Sequence, residues 1–145
     1  MQSQRPSLIR VISTDYPSFL SVLFPIVFGG FSIYFFFAGN DAVQLFLPLA
    51  IVVTVIGVPT LVQRYRAIST VFAEGVQVKG VVTGLNFFRG RGNIQYSYTF
   101  EGEKQTSSNA INKNSRTRKL RVGQTVTVIV DRNNPKRAFI RELYL

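Results

Sequence analysis

The sequence contains no cysteine, no histidine and no tryptophan, and only seven of its 145 residues are acidic. Without cysteine it has no disulfide, no thiolate nucleophile and no cysteine-bound zinc. Without histidine it lacks the most common general base and metal ligand of proteins. Few groups remain for acid–base or metal chemistry, so we expect the protein not to be an enzyme and to use no cofactor or metal.

Charge and hydrophobicity are distributed unevenly along the chain. Residues 1–66 contain four basic and two acidic residues, whereas residues 67–145 contain thirteen basic and five acidic ones. The longest uncharged apolar runs lie in the first half. The sequence therefore predicts two parts, the first suited to lipid and the second, strongly basic, suited to water.

Two uncharged apolar runs cover residues 16–38 and 42–62. A helix needs about 20 apolar residues to cross the hydrocarbon core of a membrane, and both runs reach that length. The short connector, residues 39–41, allows only a tight turn, so the runs predict an antiparallel pair of transmembrane helices. The second helix is expected to continue beyond the membrane to about residue 73, because Gly75 is a typical stop signal.

Arginines flank this hairpin at one end. Arg5 and Arg10 precede the first run, Arg64 and Arg66 follow the second, and the connector contains neither lysine nor arginine. Because positive residues stay on the cytoplasmic side, we predict a multi-pass integral membrane protein with both termini, including residues 1–15, in the cytoplasm. A cleaved signal peptide and a buried hairpin of a soluble protein are the alternatives. The first run is too long for a signal core, which argues against the former.

Small residues mark positions where a membrane helix can approach another helix closely. In the first run these positions are Ser21, Gly29, Gly30 and Ser32. We expect them to contact either the second helix or a helix of a partner protein.

From residue 75 the apolar residues recur with a period of two, which is typical of strands. In the stretch "IQYSYTF", polar residues alternate with Ile94, Tyr96, Tyr98 and Phe100. Further short stretches follow, separated by turns, and the last strand is expected over "AFIRELYL". The sequence predicts a small all-β domain over residues 75–145, either a five-stranded barrel or a rolled antiparallel sheet.

A two-helix hairpin followed by "GVQVKGVV", "IQYSYTFEG" and "VGQTVTVIVDRNNPKRAFI" resembles the family described as domain of unknown function 3592, over residues 20–142. The residues that match its final motif are Gly123, Val126, Val128, Asp131, Asn134, Pro135 and Ala138. This chain has "VDRNNP" where the family often has Tyr-Asp-Pro before the Asn-Pro. The resemblance implies a hairpin joined to a small β-domain, and it implies no activity.

Within this motif, Asp131 is either a catalytic carboxylate in a basic region or the first residue of a turn. It is followed by Asn133, Asn134 and Pro135. Aspartate commonly accepts hydrogen bonds from backbone amides two or three residues later, and proline presets its own φ angle. The pattern therefore favours a turn formed by Asp131, Asn134 and Pro135.

The densest cluster of positive charge is the stretch "NKNSRTRKLR", which contains no acid. Its basic residues are Lys113, Arg116, Arg118, Lys119 and Arg121. They form either a solvated surface or a contact with an anionic partner, which would be lipid headgroups or an acidic protein face. Nucleic-acid binding would need exposed tyrosines for base stacking, whereas Tyr96 and Tyr98 are expected in the core.

These features together predict a non-catalytic integral membrane protein that serves as an accessory or interaction subunit docked on a larger membrane complex. The expected partners are the lipid bilayer, a membrane protein complex and, for the basic cluster, anionic lipid. The alternative is a membrane-anchored module that binds anionic lipid headgroups or nucleic acid through its basic loops. The expected burial of the tyrosines disfavours nucleic acid.

Overall fold

The computed structural model describes residues 5–145, which form four α-helices and five strands. The helices are α1 (Leu8–Thr14), α2 (Tyr16–Phe37), α3 (Val43–Glu74) and α4 (Arg141–Tyr144). The strands are β1 (Val76–Phe88), β2 (Arg91–Phe100), β3 (Glu103–Asn112), β4 (Thr125–Val130) and β5 (Ala138–Ile140). A short 3-10 helix, Thr117–Lys119, lies between β3 and β4.

The helices α2 and α3 are both long and apolar enough to cross a membrane. In the most apolar stretch of α2, 6% of the residues are buried by protein, and in that of α3 the share is 11%. A helix in the core of a soluble protein would have its apolar surface covered by other parts of the chain. In the described structure this surface is instead open along both helices.

The two long helices lie side by side and approach each other closely at Gly57. A Cβ atom at this position would lie 2.7 Å from the carbonyl oxygen of Ser21 and 3.4 Å from Cγ of Pro25. Pro25 has no N–H, so it cannot donate to the Ser21 carbonyl four residues earlier. The glycine therefore lets α3 lie directly against a carbonyl that lacks its usual helical partner.

Of the small residues expected to contact another helix, Ser21 forms this close approach through its carbonyl, whereas Gly29 and Gly30 lie away from it. Gly29 and Gly30 have no neighbouring atom within 4 Å of the position of a Cβ. Ser32 is buried, and its hydroxyl donates to the carbonyl of Phe28 over 2.8 Å. The two glycines therefore do not lie against α3, and their predicted contact with a helix of a partner protein stays a prediction.

The five strands form one antiparallel sheet in the order β3-β2-β1-β4-β5. This sheet is rolled into a nearly closed barrel, which confirms the predicted class. The gap between the two edge strands is bridged by side chains: the hydroxyl of Tyr96 lies 2.6 Å from the carbonyl oxygen of Ala138 and 2.6 Å from Oδ1 of Asn109. Close by, the hydroxyl of Ser107 donates to the carbonyl of Lys136 over 3.0 Å.

The core of the sheet domain includes residues from outside the sheet. Val11 of α1 is fully buried in it, together with Ile68 and Val71 near the end of α3. At the other end of the chain, Leu143 and Tyr144 of α4 are buried in the same cluster. The packed unit thus extends beyond the boundary expected at residue 75.

Two segments differ from the expected secondary structure. The last predicted strand ends at Ile140 and is followed by the helical turn α4. Successive residues of a strand point to opposite faces, whereas Leu143 and Tyr144 are both buried, which the helical turn allows. The N-terminal segment contains α1, whose first turn is capped because the Ser7 hydroxyl accepts a hydrogen bond from the Arg10 amide.

Candidate functional site

The most deeply buried charge of the described chain is the carboxylate of Asp15, at the junction of α1 and α2. It caps the start of α2 by accepting from the backbone amide of Ser18 over 3.0 Å and from its hydroxyl over 2.6 Å. The guanidinium of Arg64 on α3 completes the site, with Nη2 lying 2.5 Å from Oδ1 and Nε 3.3 Å from Oδ2. Both carboxylate oxygens therefore have partners, and the ion pair ties the two long helices together.

This ion pair was not among the predicted site residues. The sequence reasoning placed Asp15 in the segment before the first apolar run and used Arg64 only to orient the hairpin. One signal was available, because an aspartate shortly before a proline at the start of an apolar run is typical of a helix N-terminus. The arginine partner lies 49 residues later, and no local pattern relates the two.

Polar side chains tie α1 to the sheet around this junction. The Nδ2 atom of Asn112 donates to the carbonyls of Ile12 and Ser13, both over 3.3 Å. The hydroxyl of Thr14 donates to the carbonyl of Leu143 over 3.2 Å. Helix α1 is thus bound both to the end of β3, through its backbone carbonyls, and to α4, through the hydroxyl of Thr14.

Beneath the junction lies Tyr144, whose side chain is fully buried against the rings of Phe72 and Phe139. Within residues 5–145 no group forms a hydrogen bond with its hydroxyl. Burial raises the pKa of Tyr144 well above its usual value, and the nearby negative charge of Asp15 acts in the same direction. This tyrosine is therefore neutral at physiological pH.

The turn between β1 and β2, which we call the hairpin tip (residues 87–91), lies beside the first turns of α2. Phe88 is 60% exposed there. The guanidinium carbon of Arg91 lies 5.8 Å from the ring centroid of Tyr16, the first residue of α2. A cleft of about 330 Å³ separates the tip from α2. Its walls on the helix side are the apolar side chains of Phe19, Leu20 and Leu23.

The predicted basic cluster begins at this hairpin tip. The backbone amide of Lys113 donates to the carbonyl of Gly90 over 2.9 Å, and its ammonium lies 5.9 Å from the ring centroid of Phe87. The remaining members of the cluster are exposed; they are Arg116, Arg118, Lys119 and Arg121. The buried hydroxyl of Thr117 anchors the loop by donating to the carbonyl of Asn112 over 2.8 Å.

Asp131 lies at the end of β4, where the chain turns toward β5. Its Oδ1 atom accepts from the backbone amide of Asn133 over 2.9 Å, and its Oδ2 atom lies 3.7 Å from the guanidinium of Arg137. The amide of Arg137 donates to the carbonyl of Asn134 over 2.8 Å. The next residue, Pro135, accepts a hydrogen bond from the hydroxyl of Tyr98 through its carbonyl. This geometry is that of a turn, and the role of Asp131 in function stays a prediction.

A second cleft, of about 610 Å³, lies between α3 and the two edge strands β3 and β5. Its charged lining residues are all cations, namely Arg64, Lys136 and Arg137. Two of them already face acids, because Arg64 is paired with Asp15 and Arg137 lies near Asp131.

The described residues contain no group of three or more acidic side chains that could hold a metal ion.

The two tyrosines considered for base stacking are core residues. Tyr96 is fully buried, and Tyr98 is 3% exposed. Burial raises the pKa of Tyr96 and of Tyr98, since water no longer stabilises their ionised forms. Neither ring presents a face on which a nucleobase could stack.

Two long apolar helices joined to a nearly closed five-stranded sheet place this chain among candidate membrane proteins with a small sheet domain. Residues 73–143, which include the whole sheet, match the family model described as Domain of unknown function (DUF3592). The match confirms the resemblance from the end of α3 into α4, while α1 and α2 lie outside it. No curated protein and no solved structure matches the chain.

Proposed function

We propose that this protein is a non-catalytic membrane protein with two spans and both termini in the cytoplasm, acting as an accessory or interaction subunit of a larger membrane complex. The observation that carries the proposal is the junction between helices and sheet. Its elements are a shared core and the ion pair between the buried Asp15 and the half-buried Arg64. These features hold the sheet domain in one orientation relative to the two helices.

The exposed apolar surface of the helices supports their place in a membrane. Phe37 is 83% exposed, Val55 is 66% exposed and Ile33 is 62% exposed, although all three would be costly to leave in water. The arginines at the sheet end of the hairpin, Arg64 and Arg66, favour the cytoplasm for that end.

The junction supports a docking role over a simple tether. Removing the Asp15 carboxylate and part of the Arg64 side chain from water costs free energy, and this cost is offset only by good geometry and further hydrogen bonds. A flexible linker would anchor a domain to a membrane without such a cost. A fixed orientation is useful when the protein must present one particular surface to a neighbouring protein.

The topology is tested by labelling with a membrane-impermeant thiol reagent. Because the sequence has no cysteine, single cysteines at Asn40 and Gln105 give unambiguous signals. We expect Asn40→Cys and Gln105→Cys to react from opposite sides of sealed vesicles. Labelling of both from the same side would overturn the two-span arrangement.

The docking role is tested by purifying the tagged full chain from its native membrane in mild detergent. We expect another membrane protein to co-purify at a fixed stoichiometry. The variant Gly30→Leu should reduce that co-purification, since its new side chain would extend into open space outside the chain. Ile33→Leu, at a neighbouring exposed position, is the control and should have no effect. Purification of the chain alone at every detergent concentration would contradict the proposal.

A further inference from the structure

The hairpin tip combines three features that a lipid site requires. These are exposed cations, an exposed aromatic ring and an apolar wall. Arg89 and Arg91 lie on either side of Gly90, and the guanidinium carbon of Arg89 is 5.3 Å from the ring centroid of Phe88. Among the described residues of the sheet domain, Phe88 is the one aromatic side chain that is largely exposed.

The backbone at the tip is unfavourable for the residue that occupies it. Arg89 has a φ angle of 56°, in the left-handed region that favours glycine, asparagine and aspartate in tight hairpins. A glycine at this position would relieve the strain. Strained residues concentrate at binding sites. Here the strained conformation of Arg89 places a long cationic side chain at the end of the hairpin.

In the cleft beside the tip, the positive charges lie at the hairpin and the apolar surface extends away from them along α2. Arg89, Arg91 and Asn112 supply its polar lining, and no acid lines it. The apolar lining runs along α2 from Tyr16 to Leu23, a distance of about 10 Å at the rise of an α-helix. A phospholipid has the same order, with an anionic phosphate at the membrane surface and an acyl chain directed inward.

We infer that the hairpin tip binds an anionic glycerophospholipid of the cytoplasmic leaflet. Arg89 and Arg91 hold its phosphate, and Phe88 together with Phe19 and Leu23 contacts the start of its acyl chain. The inference rests on the proposed two-span topology, because that topology brings the tip to the level of the headgroups. Interfacial aromatic residues and basic residues near the bilayer are the features that favour this position.

The test uses the full chain in lipid nanodiscs that contain either phosphatidylcholine alone or phosphatidylcholine with phosphatidylglycerol. Native mass spectrometry after release counts the lipids that stay bound. We expect the wild-type protein to retain phosphatidylglycerol preferentially. The double variant Arg89→Gly with Arg91→Gln should weaken this retention about thirtyfold, at about fivefold for each lost charge.

The choice of substitutions separates binding from folding. Arg89→Gly relieves the strained φ angle, so on its own it should preserve or raise the unfolding temperature while it weakens lipid retention. The pair Arg116→Gln with Arg118→Gln is the charge-matched control in the exposed part of the basic cluster. It should retain the lipid as the wild type does.

Four outcomes would overturn the inference. Equal loss in the control pair would indicate diffuse attraction to the basic surface, and equal retention of both lipids would rule out recognition of the anionic headgroup. Displacement of the lipid by inorganic phosphate at the same concentration would indicate a site for free phosphate. Displacement by single-stranded RNA would indicate a nucleic-acid surface. The cysteine labelling reports on topology separately, so a failure of the lipid site is distinguishable from a failure of the two-span arrangement.

Discussion

The fully buried carboxylate of Asp15 lies 2.5 Å from the guanidinium of Arg64, where the start of α2 meets the sheet end of α3. The backbone of Asp15 also forms an isolated bridge with Ile111 of β3. One residue therefore connects both long helices and the sheet. The predictions below test this junction and the features around it.

Asp15→Asn should lower the free energy of unfolding by about 3 kcal/mol, because it leaves the arginine without its charged partner. The loss should not exceed this value, since the Arg64 side chain is 36% exposed and can reach water. Chemical unfolding of the detergent-solubilised protein measures the difference. Asp41→Asn, at an exposed position in the connector, is the control. Equal effects of the two substitutions would show that the ion pair contributes nothing.

Removing the hydroxyl should lower the stability of the protein at one of the two fully buried tyrosines but not at the other. Tyr96→Phe removes the group that bridges β3 and β5, and should cost about 1–2 kcal/mol. Tyr144→Phe removes a buried hydroxyl that has no hydrogen-bond partner, and should leave stability unchanged or slightly higher. Thermal unfolding of both variants provides the comparison. A larger loss in Tyr144→Phe would imply a partner for that hydroxyl, such as a bound water.

Stability should decrease at alkaline pH. Burial raises the pKa of Tyr96 and Tyr144 in the folded state, whereas in the unfolded chain each ionises near pH 10.0. The unfolded state therefore releases protons first, and stability present below pH 10 is lost as pH rises above it, by about 1.4 kcal/mol per pH unit for each tyrosine. Denaturant titrations at increasing pH measure the slope. The variant with both Tyr96→Phe and Tyr144→Phe should lose stability less steeply as pH rises. A slope identical to that of the wild type would show that these tyrosines do not cause the loss.

Glycines of the two long helices should differ in their tolerance of a methyl group. Gly57→Ala places a Cβ 2.7 Å from the carbonyl oxygen of Ser21, so it should cost about 1–3 kcal/mol as α3 moves away. Gly30→Ala meets open space and should be neutral or slightly stabilising. Unfolding of the solubilised protein distinguishes them. Similar destabilisation by both would mean that the helices pack differently.

Asp131→Asn should change stability by less than about 0.5 kcal/mol, because an amide oxygen can still accept from the backbone of Asn133. Asp131→Leu removes that acceptor and should cost about 1 kcal/mol. Both values come from denaturant unfolding. Complete loss of partner binding in a normally folded Asp131→Asn variant would argue for a chemical role instead of a turn.

Periodicity made the central parts of this fold predictable. The apolar residues of "IQYSYTF" alternate, and in β2 the side chains of Ile94, Tyr96 and Tyr98 all lie in the core. The two apolar runs became α2 and α3 because their length and lack of charge leave few alternatives to a helix. Patterns that extend over many residues were therefore sufficient for the architecture.

Short elements that depend on tertiary contacts were not predictable in the same way. The helix α1 has seven residues, and α4 has four, too few for a periodic pattern to stand out. Both are stabilised by burial of Val11 and Tyr144 against the sheet. The hairpin tip could be located as a turn from its glycines, but its position beside α2 follows from how the sheet packs on the helices.

The core shared by both ends of the described chain constrains the biogenesis of this protein. Thr14 and Leu143 are joined by a hydrogen bond although they lie 129 residues apart in sequence. Synthesis proceeds from the N-terminus, so both helices leave the ribosome before the residues that cover Val11. Folding of the sheet domain is therefore completed only after both long helices have left the ribosome. Any chain interrupted before Leu143 leaves an uncovered apolar surface around Val11, where chaperones and quality-control proteases can recognise it.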